Sequence, residues 1–550
     1  MRKRLTASHR IRRFIRRRSS SFHPQSGSYR WWLLANVMIG TFMAVLDATI
    51  VNVGLPKLMA SFGVGIDKIE WVLTAYMLAL AVMLPTSGWL ADKFGYKKMY
   101  FWGMFAFTLG SFLCGMSSNE NMLILSRVIQ GLGAGSIMPV GMAIITREFK
   151  PEERGIALGF WSIAAAASVS FGPLIGGYLV DNFNWQLIFD VNVPIGIFGL
   201  VATIIIQREY KNVKIRSFDA VGFFSVSIFL PFLLYALSEG NAQTNSAGWS
   251  ATYIWVCFAI ALVALAVFLT TELTIKEPLI DLRLLANNNF AYANLIMFIF
   301  GIGMFGSTFL LPLYLQNSLG YTAIQAGAVF LPVGIIQGAM APLAGLFGDR
   351  TNAKIPITVG VVVLAISFFL NSKLSYLTEH SYIMLALYLR GFAMGVMFTP
   401  LSAIALIEIP REKMAQASGL FNVIRQLGGS FGVAILATVL TTRVDYHSQI
   451  FSSSVNTTSP VYQEVVHHLN GYMKENVGSS SAVAAQQSSY VVSAHLNKQA
   501  FIEGINDDFL LAGIITLIGG VPVFFLHSRK KKQKLAEAER RAASMEADKG

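Results

Sequence analysis

Two ionisable side chains stand where the sequence is otherwise apolar. Asp47 falls within Leu46-Asp47-Ala48-Thr49-Ile50-Val51-Asn52-Val53-Gly54-Leu55-Pro56, and Arg127 opens Arg127-Val128-Ile129-Gln130-Gly131. A carboxylate in hydrocarbon costs several kcal/mol, so Asp47 must face a partner or a wet cavity. An arginine stays charged in proteins and has the same need. Two readings follow. Asp47 is either a group that takes up and releases a proton in competition with Arg127, or one partner of a static helix–helix ion pair. Asp190, in Phe189-Asp190-Val191-Asn192-Val193-Pro194, is either a second proton-binding group or an acid at a membrane interface, with Asn192 close behind it.

The second chemical signature is a charged glycine turn, Gly88-Trp89-Leu90-Ala91-Asp92-Lys93-Phe94-Gly95-Tyr96-Lys97-Lys98. Such a hairpin cannot lie in hydrocarbon and belongs at a membrane–water interface. Its lysine excess assigns it to the cytoplasmic side. Gly88 and Gly95 permit close approach of two helix ends. Asp92 can pair with a cation or cap the next helix. A third signature, Gly172-Pro173-Leu174-Ile175-Gly176-Gly177, allows a bend and close helix contact.

The elements that position these groups are membrane spans. Of 550 residues, 54% are hydrophobic and 13% charged, about half the charged share of soluble domains. Apolar runs of some 20 residues are expected as fourteen spans, near 31–55, 70–91, 98–117, 121–145, 155–180, 186–207, 218–238, 251–272, 289–313, 323–347, 355–371, 381–407, 416–441 and 508–527. Lysine and arginine fall in alternate connections, so both ends are expected in the cytoplasm. The net charge of +13 is therefore a topology signal and calls for no nucleic-acid partner. Residues 1–30 form a basic arm that either orients the chain or lies on anionic lipid. Nothing there reads as a cleavable signal peptide. Residues 443–507 are polar and are expected as a long external loop, with 528–550 a cytoplasmic tail. His467 and His468 in that loop are weak metal evidence, and no metal site is expected. Cys114 and Cys257 fall in different spans and read as packing residues.

The chain repeats itself. Gly345-Leu346-Phe347-Gly348-Asp349-Arg350 echoes the Gly88 turn, and Arg390 followed by Gly391, Gly395 and Pro400 echoes Arg127 followed by Gly131, Gly133, Gly135 and Pro139. The features recur eight spans apart, which fits two six-span halves, 31–207 and 288–527, with two spans inserted in 208–287. Repeated halves around a midplane site are the architecture of secondary transporters. The glycines after Arg127 are not a nucleotide loop, because they lie inside a span.

The Gly88–Lys98 turn resembles the loop between spans two and three of the major facilitator superfamily. The Asp47 stretch, the fifth-span Gly172–Gly177 motif and Arg425-Gln426-Leu427-Gly428-Gly429 resemble its fourteen-span drug:proton antiporters of the EmrB and QacA type. The resemblance implies an all-α bundle of two six-helix halves plus two extra spans, and proton-coupled efflux of amphiphilic drugs across the cytoplasmic membrane. It implies proton coupling at Asp47, a conformational role for the Gly88–Lys98 turn, and an antiporter role for Gly172, Pro173, Gly176 and Gly177. It also implies a periplasmic adaptor and an outer-membrane channel in a host with two membranes. Trp71, Tyr76, Gln130, Asn192, Phe305, Tyr314, Gln337, Arg390 and Arg425 are the candidate cavity residues. Some members of the family it resembles that export dications carry an acid in the tenth span; none occurs in 323–347, so the resemblance disfavours dications and leaves neutral, monocationic or anionic amphiphiles. An exporter of a lipid or siderophore, an uptake symporter and a non-transporting receptor are the alternatives. No cofactor or enzymatic constellation is evident, and the proton gradient is the expected energy source.

Overall fold

The structure is a computed structural model that describes residues 28–64, 66–150, 153–210, 219–240, 245–350, 352–410, 413–454, 459–477 and 480–526. Nearly all of the basic arm and of the C-terminal tail lie outside this set.

The first half runs through α1 (Tyr29–Phe62), α2 (Ile66–Phe94), α3 (Tyr96–Gly115), α4 (Glu120–Glu148), α5 (Arg154–Asn182), and a sixth span split into α6 (Leu187–Asp190) and α7 (Asn192–Ile206). Two inserted helices follow, α8 (Ala220–Glu239) and α9 (Thr252–Thr274). The second half comprises α10 (Asn288–Asn317), α11 (Ala323–Ala328) broken from α12 (Leu331–Arg350), α13 (Lys354–Asn371), α14 (His380–Leu406), α15 (Met414–Ser454), α16 (Pro460–Asn476) and α17 (Ser481–Gly520). Among the described residues, thirteen stretches are long and apolar enough to cross a membrane. The fourteenth expected span corresponds to α3, which is opened by Lys97 and Lys98, packs along α4 and is not among those thirteen.

Local chemistry sets the ends. Asn119 accepts from the Met122 amide at 2.9 Å, and Thr322 and Gln325 close a capping box at α11. Gly63 ends α1 with φ of 66°. Gly95, with φ of 106°, makes the turn between α2 and α3 that a side chain would strain.

Glycine stripes seat the helices. A methyl on Gly131 or Gly135 would meet the Tyr76 or Leu80 carbonyl of α2, and one on Gly391 or Gly395 would meet the Val333 or Gln337 carbonyl of α12. The repeat is therefore structural, but its register is corrected. Arg390 precedes Gly391 as Gln130 precedes Gly131, so Arg390 is the counterpart of Gln130 and not of Arg127.

The halves meet along α5 and the α11–α12 pair, from Gly159 on Pro342 of α12 to Gly177 on Ile324 of α11, and where α2 meets α15. Near the end that carries the basic turns, Arg154 donates from Nη1 to the Leu406 carbonyl at 3.3 Å, tying α5 to α14. The inserted pair brackets the α2–α15 seam. Trp71 stacks on Tyr235 with centroids 5.8 Å apart, and Trp249 donates to Thr438 at 2.8 Å. Between α8 and α9 an apolar cleft of about 680 Å³, lined by Phe224, Ile228 and Val263, is suited to contact lipid chains.

The expected loop at 443–507 is replaced by helix. α15 continues to Ser454, α16 fills Pro460–Asn476, and α17 begins at Ser481, far ahead of the expected edge at 508. At 1.5 Å per residue, the 41 residues of α15 reach about 60 Å, twice the hydrocarbon core. Arg443 and His447 of α15 hold Asp507 of α17 at 2.6 and 2.9 Å, which ties the two helices near the start of this spur.

Candidate functional site

Five helices of the first half converge on Asp47, which has no solvent exposure. Arg127 of α4 donates from Nη1 to Asp47 Oδ2 at 2.5 Å. Gln130, one turn on, donates from Nε2 to Oδ1 at 2.7 Å, and Asn192 of α7 donates to the same oxygen at 3.3 Å. Arg127 is held in turn by the Val72 carbonyl at 3.0 Å, by Gln130 Oε1 at 2.6 Å, and by the Tyr76 ring 4.1 Å beneath its guanidinium. The Tyr76 hydroxyl donates to the Ala44 carbonyl at 3.1 Å, and Gln130 also bonds Ser111 at 2.6 Å.

The carboxylate is thus matched to one cation and two amides in a dry setting, the condition under which burying an ion pair is tolerated. Removing one member strands the other, at about 3–5 kcal/mol. A proton on Asp47 would cancel the pair, yet Arg127 would keep Gln130, Val72 and Tyr76. Arg127 Nη2 and Asn192 Oδ1 are buried without a hydrogen-bond partner. The sequence flagged Asp47, Arg127, Gln130, Asn192 and Tyr76, and the structure brings these five together. Ser111 and the Val72 carbonyl carried no sequence signal.

Asp190 is not part of this network. Its carboxyl lies against Gly115 at the end of α3, and it is partly exposed. Trp71 is 41% exposed and faces the inserted helices. Tyr314 is buried and donates to the Ser375 carbonyl at 2.7 Å, a tie within the second half.

At the charged turn, Asp92 accepts from the Tyr96 hydroxyl at 3.0 Å. Lys97 donates from Nζ to the Ile204 carbonyl at 2.7 Å, binding α3 to the end of α7. Lys93 sits 4.6 Å over the Trp89 ring, Lys98 is exposed and Gly88 is buried. Arg147 lies over both Tyr96 and Tyr210, at 5.1 and 5.2 Å.

The α5 glycines link the Asp47 helix to the opposite half. A side chain on Gly172 would strike Thr49, one on Gly176 would strike Ile50, and one on Gly177 would strike Ile324 of α11. Thr49 and Ile50 lie two and three residues beyond Asp47. The Pro173 side chain lies outside the described set.

In the second half, Arg390 is 2% exposed. It donates from Nη2 to Thr308 Oγ1 at 2.5 Å and to the Met304 carbonyl at 3.1 Å, and its guanidinium lies 5.6 Å from the Phe330 ring. Arg425 is partly exposed, with its guanidinium 5.9 Å from Phe398. Phe305 packs on Gly429, and the Gln337 backbone on Gly395. Among the described residues there is no group of three or more metal-ligating side chains.

Known proteins resemble this chain over most of its length. A family model described as Major Facilitator Superfamily matches residues 37–433. The chain is 33% identical over 508 residues to the multidrug export protein EmrB of Escherichia coli K12, covering 91% of this chain and 96% of that one. It is 29% identical over 515 residues to an uncharacterized MFS-type transporter, YhcA, of Bacillus subtilis 168, covering 92% and 95%. Among solved structures, the proton:xylose symporter XylE matches with a TM-score of 0.57 at 12% identity, over 91% of this chain and 96% of that one, a likeness of fold. The chain is a multi-pass membrane transporter of the major facilitator superfamily, within its EmrB-type drug:proton antiporter family.

Proposed function

We propose that the protein exports amphiphilic compounds across the cytoplasmic membrane in exchange for protons, by alternating exposure of a site between its two halves. The observation that carries this reading is the sealed Asp47–Arg127–Gln130 network, a fully buried carboxylate held by one cation and a side-chain amide. The names of the multidrug export relatives support the cargo class. An inward proton is worth about 2.3 kcal/mol per 100 mV, and a tenfold gradient about 1.4 kcal/mol. One proton thus sustains an outward gradient of tens-fold at that potential.

In this reading both termini are cytoplasmic, and the Asp92–Lys98 turn and Arg154 hold the basic end shut in one state. In a host with two membranes, a periplasmic adaptor joined to an outer-membrane channel would meet the spur of α15, α16 and α17. The direct test is drug accumulation in inside-out vesicles under an imposed pH gradient. Uptake that collapses with a protonophore supports the reading, and uptake indifferent to the gradient refutes it.

A further inference from the structure

Two acids meet at the basic end of the inserted helices. Asp219 caps α8, its Oδ1 accepting from the Gly222 amide at 2.7 Å. Glu272 lies in the last turn of α9 with no solvent exposure, and its Oε2 accepts from the Ile280 amide at 3.2 Å. The other oxygen of each, Asp219 Oδ2 and Glu272 Oε1, is buried with no hydrogen-bond partner. A methyl built on Gly222 would strike both of these oxygens, each under 3.0 Å away. They therefore flank one small space, which the glycine leaves open.

Two carboxylates that close cannot both be ionised in a buried setting. Among the described residues neither acid has an ion pair. The neighbouring charges bond elsewhere or face solvent. Lys413 at the start of α15 pairs with Asp281 at 2.5 Å, Arg283 donates to the Leu273 and Ile275 carbonyls, and Lys276 and Glu277 are exposed. On α2, Asp92 takes the Tyr96 hydroxyl and Lys93 lies over Trp89. A metal cation would need a larger shell of oxygens, and no group of three or more metal-ligating side chains occurs among the described residues. A proton needs only the two oxygens on hand. The helix ends decide where it sits: the N-terminus of α8 favours negative charge on Asp219, and the C-terminus of α9 disfavours it on Glu272.

We propose that Asp219 and Glu272 are a proton-binding pair, in which Glu272 Oε1 holds the proton and turns it to Asp219 Oδ2, directly or across one water. The site lies outside the Asp47 network and is independent of the cargo. The protonated pair pins the linker from α9 to α10, since Glu272 holds Ile280 while Gln416 of α15 donates to the Leu279 carbonyl at 3.2 Å. Loss of the proton to water leaves two like charges facing each other and forces them apart, which loosens the linker where it enters the second half.

The test is infrared spectroscopy of the purified full chain in nanodiscs near neutral pH, with each variant subtracted from the wild type. The wild type should show a protonated-carboxyl C=O band that Glu272→Gln removes, and Asp219→Asn should remove or shift the same band. Glu272→Gln should keep the thermal unfolding midpoint, because its amide donates where the acid did, while Glu272→Ala lowers it. A spectrum in which neither amide variant changes a protonated-carboxyl band overturns the proposal. So does a Glu272→Gln protein that unfolds as readily as Glu272→Ala, since the space then requires charge and not a proton. An unfolding midpoint that climbs with sodium or potassium, with no band lost, assigns the space to a metal cation and overturns the proposal as well.

Discussion

Gln130 and Arg390 occupy the same station in the two halves, each one residue before a glycine that lies on a carbonyl of the neighbouring helix. In the first half that station bonds an acid. In the second it carries a cation with donors to spare. One half is built around an internal charge pair, while in the other Arg390 has no ion pair among the described residues.

Gln130→Leu should destabilise the first half. Gln130 bonds Asp47, Arg127 and Ser111, all buried, and leucine leaves their groups unmatched. A loss of about 1–3 kcal/mol is expected, read as a lower midpoint of thermal unfolding in detergent. An unchanged midpoint would remove Gln130 from the network.

The α5 glycines should separate by what they touch. Gly176 abuts the Ile50 backbone carbonyl, which cannot yield, whereas Gly177 meets the Ile324 side chain of the opposite half. Gly176→Ala should lower the unfolding temperature. Gly177→Ala should leave it nearly unchanged and slow transport, because the methyl sits at the seam. Identical behaviour of the two variants would contradict this division.

Arg154→Gln should loosen the basic end. The bond to the Leu406 carbonyl crosses between halves, and charged hydrogen bonds are worth about 1.5–3 kcal/mol. Ser162, 3.5 Å from Thr399 across the seam, reports on it. Labelling of a cysteine at 162 by a thiol reagent applied from the basic side should speed up by about tenfold or more. An unchanged rate would mean that other contacts hold that end.

The spur predicts a split phenotype. Replacing residues 455–480 by a short Gly-Ser linker should leave gradient-driven transport in vesicles near normal. In a two-membrane host the same change should abolish drug resistance of whole cells, if an adaptor docks there. Loss of both would make the spur part of the transport bundle itself.

How far the chain was readable depended on the physics of each part. Spans announce themselves by apolar length, and a lone acid such as Asp47 by its cost, so the bundle and the heart of the charge network were visible. The spur was not, because α16 is a polar helix and the first half of α17 is rich in serine and glutamine, the two being held by packing on each other without an apolar run. Register between repeats also escaped. Arg127 and Arg390 share a residue type but stand one turn apart in the fold, and only the carbonyls beneath the glycines fix the alignment. Tyr314 drew attention as an aromatic cavity residue, yet its hydroxyl serves the Ser375 carbonyl. Asp508, fully buried near the middle of α17 with both carboxyl oxygens unpartnered, fell at the edge of an expected span and went unread.

The central claim is that Asp47 carries the proton. The decisive measurement is drug-induced proton release from inside-out vesicles energised by a pH gradient, wild type against Asp47→Asn, with a folding check by thermal unfolding. Amphiphilic drugs should collapse the gradient with the wild type and leave it intact with the variant. A folded Asp47→Asn protein that still exchanges drug for protons would contradict the claim and make Asp47–Arg127 a structural pair.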